Sequence, residues 1–242
     1  MAVLVTRPHP DNEKTADALR GRGFEALLAP MLRFEPMPPS DDLGADYGGI
    51  IVTSSNALRA IEPQLAQGTL LKLPLFAVGD HTAAAARSLG FAEVFSAEGD
   101  ADALRDRVLG AKQLKKSSTL LYLAGADLSS DLAGDLVAHG RDVVTVVTYR
   151  MAALPHLSRE ALEAFAANRI EAVLHYSQRS AQAFLEAARS DGVEISALSV
   201  LQCCLSANVA RPLREAGATQ VQVAAAQDEN ALFAALERAL RG

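Results

Sequence analysis

Short apolar runs, each broken by a hydroxyl, glycine or charged residue and followed by a stretch of helical periodicity, recur along the whole chain. Ala2 to Thr6 reads as a first strand, Asp11 to Gly21 as a helix with an acidic first turn, and Phe24 to Ala29 as a second strand. Arg33 to Ser40 carries three prolines and is expected to run extended. The run ending at Thr53 predicts a strand, with Ser54, Ser55 or Asn56 capping the next helix. Leu75 to Val78 predicts another, broken at Gly79-Asp80 and followed by an alanine-rich helix that stops at Leu89-Gly90. Further strands are expected near Glu93 to Phe95, at Thr119 to Leu123 and at Val143 to Thr148, with helices over 102–109 and 131–139.

The later chain repeats the earlier one. Call the opening strand, helix and strand unit a, the block around Thr53 unit b, and the block from Leu75 to Leu109 unit c. The stretch 119–148 repeats unit a, each copy with a helix-stop glycine, Gly23 or Gly140. AVLHYSQRSAQAF repeats unit b with Ser177 in the place of Ser54. VLQCCLSANVARPLREAG repeats unit c with Ser206 for Gly79 and Gly217 for Gly90, and DENALFAALERAL repeats DADALRDRVL. Pro212 is expected to delay the start of its helix. A lone unit a cannot bury a two-sided parallel sheet, so the N-terminal copy is expected to join the C-terminal b and c copies. The expected fold is α/β, with two parallel-sheet domains of flavodoxin or Rossmann type and a discontinuous first domain. Residues 1–34 with 155–242 form domain 1, 40–147 form domain 2, and 35–39 with 148–154 are connector strands lying side by side. The competing architecture is one doubly wound sheet.

Composition narrows the function. The chain has 242 residues, half of them apolar, and no run long enough to span a membrane. Its opening enters a strand at once without a signal-peptide pattern, so a cytoplasmic protein, with no membrane partner, is expected. The two cysteines are adjacent and the five histidines scattered, which suits neither a redox pair nor a metal site. A net charge of −6 argues against nucleic acid, and an anionic ligand would have to be held by local donors.

In parallel sheets ligands sit beyond the carboxyl ends of the strands. The candidate binding residues are therefore Arg7, Thr53, Ser54, Ser55, Asn56, Gly79, Asp80, His81, Thr82, Gly125, Ser177, Gln178, Arg179, Ser206 and Asn208. Most are hydroxyl, amide or glycine residues. Helix N-termini add unpaired N–H groups and a positive dipole end, a seat for carboxylates. Thr82 stands where it either caps its helix or faces a ligand. No catalytic triad order, P-loop or GxGxxG is present.

The blocks VLVTRP, IIVTSSNAL, AVGDHTAAAARSLG, VVTYR and HYSQRSAQAF, in this order over the full length, resemble the uroporphyrinogen-III synthase family. The resemblance implies two α/β domains with a two-stranded connector and a cleft between them, no metal and no organic cofactor. It implies conversion of the linear tetrapyrrole hydroxymethylbilane, which bears several carboxylates, to uroporphyrinogen III with loss of water and inversion of the D ring. It assigns catalytic roles to Thr82 and Tyr149 and substrate contact to Ser177; for Tyr149 a hinge aromatic that packs between the domains is the equal alternative, since a phenol with a pKa near 10 is a poor acid at neutral pH. Ser206 to Val209 and the loop after Gly125 depart from the family pattern and are expected to contribute fewer contacts. A monomer is expected. The competing class is a two-lobed, non-enzymatic small-molecule binding or sensor module.

Overall fold

The computed structural model describes residues 2–37, 43, 46–128 and 130–241. The end of the expected extended connector, Pro38 to Ser40, lies outside the described residues. In chain order the elements are β1 (Ala2–Val5), α1 (Asp11–Gly21), β2 (Glu25–Leu28), β3 (Leu32–Pro36), β4 (Gly49–Val52) and α2 (Ser55–Ile61). Then follow β5 (Leu75–Ala77), α3 (Asp80–Ser88), β6 (Val94–Ser96), α4 (Ala101–Leu109), β7 (Thr119–Gly125), α5 (Leu132–Ala138) and β8 (Asp142–Ala153). The chain closes with α6 (Arg159–Ala166), β9 (Ile170–His175), α7 (Gln178–Ser190), α8 (Glu194–Ser199), β10 (Leu201–Cys204), α9 (Ala207–Glu215), β11 (Val221–Val223) and α10 (Glu229–Arg241).

The chain divides into two compact units, 1–33 with 152–242 and 34–151. In the first unit the strand order is β11-β10-β9-β1-β2, and every one of these pairs is parallel. Four consecutive apolar residues with no exposure make up β1, as a strand covered on both faces requires. In the second unit the order is β3-β8-β7-β4-β5-β6, parallel from β8 through β6. The chain passes from one unit to the other within β3 and again within β8.

When β7 and β8 are set against β1 and β2, β4 against β9, and β5 and β6 against β10 and β11, the two sheets have the same strand order. It is the flavodoxin-type order, in which the chain leaves two adjacent central strands in opposite directions. Those central pairs are β1 with β9 and β7 with β4. Their carboxyl ends are where such sheets form a crevice.

Two expectations need correction. Pro212 does not delay its helix: α9 starts at Ala207, capped by the Ser206 side chain, and carries Pro212 inside it. The carbonyl that loses its donor belongs to Asn208, which is exposed to water, so the proline is tolerated. The strand expected to end at Thr148 continues to Ala153 as a single element. Among the described residues no helix is long and apolar enough to cross a membrane.

Candidate functional site

In the second unit, the carboxyl ends of β4 and β7 enclose a hollow of about 230 Å³. Thr53 and Ser54 follow β4, Val78 follows β5, Gly125 ends β7, and Asp127, Leu128 and Ser130 belong to the next loop. Ala101, Tyr122 and Tyr149 complete the lining. Tyr149, half-buried in β8, stacks on Phe34 with ring centroids 5.7 Å apart. A side chain at residue 125 is excluded by that ring: a Cβ there would stand 2.8 Å from the Tyr149 Cζ and 2.9 Å from its hydroxyl oxygen. Glycine is what lets the tyrosine lie against the strand end.

Tyr122 escaped the sequence reading because it lies within an apolar strand and is only 2% exposed. Its side chain is long enough to carry the hydroxyl out of the core to the hollow, where it meets the Thr53 hydroxyl at 3.2 Å. Burial raises the Tyr122 pKa above its ordinary value, more than the Thr53 hydrogen bond lowers it. Tyr122 therefore stays a phenol and can donate.

Ser54 lines the hollow at the start of α2, while Ser55, Asn56, Gly79, Asp80, His81 and Thr82 sit at the neighbouring helix starts, outside its lining. Ser54 caps α2, accepting from the Asn56 N–H at 3.2 Å, so its hydroxyl already serves the backbone. Ser55 and Asn56 form the first turn of α2, and the Asn56 amide contacts the Met151 sulfur at 3.9 Å. Gly79 is the N-cap of α3, which has no side-chain cap; Asp80 and His81 follow it and are exposed. Thr82, 6% exposed, does not cap the helix, and its hydroxyl has no partner among the described residues.

The first unit holds the remaining candidates on the equivalent loops. Ser177 caps α7, accepting from the Ser180 N–H at 3.1 Å and meeting its hydroxyl at 2.9 Å. Gln178 and Arg179 begin that helix. Ser206 caps α9 through the Val209 N–H at 3.4 Å, and Asn208 is exposed on the first turn. Arg7 follows β1 and is already engaged: it bonds Asp11 at 3.2 Å and Glu229 at 3.4 Å, and its guanidinium lies 4.7 Å over the Tyr176 ring. Thr15 and Tyr176 donate to the same Glu229 oxygen at 2.6 and 2.7 Å. Burial first, and then the Glu229 carboxylate, raise the Tyr176 pKa. The sequence had signalled neither Thr15, Tyr176 nor Glu229.

Cys203 and Cys204 are buried in β10, and burial pushes both thiols up to about 12, which keeps them protonated. Two solved structures share this fold over nearly the whole chain. A uroporphyrinogen-III synthetase from Helicobacter pylori 26695 is 20% identical, with a TM-score of 0.64, over 99% of this chain and 98% of that one. A mutant uroporphyrinogen III synthase from the extremely thermophilic bacterium Thermus thermophilus is 18% identical, with a TM-score of 0.59, over 100% of this chain and 99% of that one. At these identities the likeness is one of fold. No curated protein sequence matches the chain. The family described as "Uroporphyrinogen-III synthase HemD" matches residues 13–234, nearly the whole length, and the chain therefore belongs to the uroporphyrinogen-III synthases, the cyclising hydro-lyases of tetrapyrrole synthesis.

Proposed function

We propose that the hollow at the ends of β4 and β7 is where this chain engages hydroxymethylbilane, and that it performs there the family's reaction: loss of water, inversion of ring D and closure to uroporphyrinogen III. The observation that carries the placement is the gathering of hydroxyl residues on one hollow beside the start of α4: Thr53, Tyr122 and Tyr149, with Ser54 and Ser130 also in its lining. At about 230 Å³ the hollow falls below the roughly 300–1,000 Å³ of sites that enclose a drug-sized ligand. It suits one end of a tetrapyrrole rather than all four rings.

The chemistry asks little acid or base from the protein. Tyr149, or a water it holds, assists hydroxide as it leaves ring A, and the pyrrole nitrogen supplies the electrons, giving an azafulvene cation. Ring D attacks through its already substituted carbon, and the spiro intermediate fragments and recloses inverted. One water leaves overall. Holding the two ends together is worth several kcal/mol, about the scale of a proximity term. Tyr122 positions Thr53 and remains neutral throughout. Within each unit by itself, the helix starts are proposed as seats for carboxylates: the N–H groups of Ser55, Gly79, Asp80 and His81 with the Asn56 side chain in the second unit, and those of Gln178, Arg179 and Asn208 in the first. Each helix end contributes roughly 0.3–1 kcal/mol. Ser54, Ser177 and Ser206 set these starts as caps. Thr82 is kept as a candidate on its resemblance to the family threonine. Arg7 is left out of this set because its guanidinium already bonds two carboxylates of its own chain.

The test is to incubate the protein with freshly made hydroxymethylbilane, oxidise, and resolve the porphyrin isomers. The type III isomer, formed faster than in buffer, is expected. Type I alone, at the buffer rate, would overturn the reading.

A further inference from the structure

The crevice between β1 and β9 is built like the one between β7 and β4, yet a side chain from the far end of the sequence fills it. Thr15 reaches it from α1, Arg7 from the end of β1 and Tyr176 from the end of β9, and all three donate to Oε1 of Glu229, the first residue of α10. The two hydroxyl bonds, at 2.6 and 2.7 Å, have the lengths of charge-assisted bonds to a carboxylate. The donors and the acceptor lie 53 to 222 residues apart, so no local helix-capping rule accounts for the cluster.

We propose that Thr15, Tyr176 and Arg7 form a carboxylate-binding site, and that the chain occupies it with its own Glu229. Three features support this. First, Thr15 has no exposure in the intact protein and its hydroxyl is bonded to Glu229, so removing that acceptor leaves a bond that an anion restores more strongly than water does. Second, the acceptor sits at the N-terminus of α10, where Asp228 caps the helix through the Ala231 N–H at 2.8 Å. The positive helix end adds to the guanidinium. Asp11 is the other carboxylate on Arg7, with Lys14 beside it at 3.7 Å, so Arg7 keeps one counter-ion when Glu229 is lost.

Third, the internal repeat puts Ala101 where Glu229 stands: Asp100 caps α4 through the Ala103 N–H at 3.0 Å in the same way. Ala101 lines the open hollow. The site therefore takes a carboxylate on a short aliphatic chain, and in the intact protein it is closed to outside ligands. Glu229 is 35% exposed, so a small anion can enter from solvent once that side chain is removed.

Thermal unfolding of Glu229→Ala, Glu229→Gln and the parent, in sodium propionate and in sodium chloride of equal ionic strength, tests this without reference to turnover. The Ala variant is expected to melt below the parent in chloride and to recover saturably in propionate. At ten times its Kd, propionate multiplies the folded-to-unfolded ratio about 11-fold, a rise of roughly 3–6 °C for a chain of this size. The parent and the Gln variant, whose sites stay filled, should respond to propionate no more than to chloride. Adding Tyr176→Phe to the Ala variant should abolish its response. Equal responses in all three proteins, or none in the Ala variant, would overturn the proposal. If the Ala variant fails to fold in chloride, refolding in propionate decides the same question: recovery supports the site, and failure overturns it.

Discussion

The two crevices at the centres of the two sheets share strand order and register, and one is filled while the other is open. Ser177 and Ser54 hold the same place as helix caps, which makes Tyr176 the counterpart of Thr53. The strand pairs Val5 with Leu174 and Tyr122 with Ile51 then make Arg7 the counterpart of Ala124. With Glu229 opposite Ala101, three large side chains of the first unit face three small ones in the second. The exchange runs the other way at one position, where Tyr122 replaces Val5 and brings a hydroxyl to the hollow. A duplicated backbone thus gives a closed, self-satisfied crevice in one unit and a concave donor-lined one in the other. Side-chain volume at a few strand and helix ends decides which.

The comparison can be strained first at Gly125. Gly125→Ala puts a Cβ into the Tyr149 ring, which has Phe34 stacked against it and must move as a whole. Misplacing a positioned group by about 1 Å costs on the order of a hundredfold in rate. We expect that loss with a fold that still melts cooperatively; an unchanged rate would remove Tyr149 from the reacting centre. Tyr149→Phe keeps the ring and deletes the hydroxyl. It should slow product formation about tenfold or more, since water in an open hollow substitutes in part for the donor. The product should remain type III, and a shift to type I would mean that this hydroxyl sets the isomer.

Acid should separate the two units. His175, fully buried in the first unit, is held down to about 4 by burial, the larger effect, against the opposing hydrogen bond that its Nε2–H donates to the Gln202 Oε1. Its counterpart in the second unit is Val52. Because the folded pKa lies below the unfolded value of about 6.5, the unfolded chain binds the extra proton between these values. The stability is fully present above pH 6.5 and is lost as pH falls to 4, on the order of 3 kcal/mol in all. Hydrogen exchange followed from pH 7 to 4.5 should show β9 and β10 losing protection before β4 and β7. The reverse order would contradict it. The smallest effect is expected at Thr82→Val. Its hydroxyl has no partner to lose among the described residues, so stability should stay within about 1 kcal/mol of the parent. Its rate should fall less than that of Tyr149→Phe, and a greater fall would move the centre of the site towards the start of α3.

Much of this fold was legible because the chain repeats itself. The serines and glycines that punctuate the apolar runs mark the strand ends, and the recurrence of Ser54 as Ser177 tied the N-terminal strand to β9. The site was legible as a set of loops, since parallel sheets fix which ends matter, but not as a set of contacts. Tyr122 was hidden because a residue's place in an apolar strand says nothing of how far its side chain reaches. The Glu229 cluster was hidden because it joins residues from opposite ends of the sequence. Pro212 misled because a helix start depends on the cap at Ser206 more than on a proline further along.

The central claim, that the open hollow of the second unit takes the substrate, is tested most directly by filling it in the manner of the first. Ala101→Glu places a carboxylate at the position that Glu229 occupies, and the isomer-resolved rate is measured on hydroxymethylbilane beside the parent. The account predicts a folded protein with the parent's melting temperature or higher that yields type I porphyrin at the buffer rate, while the parent yields type III. Formation of type III by Ala101→Glu at the parent's rate would contradict it.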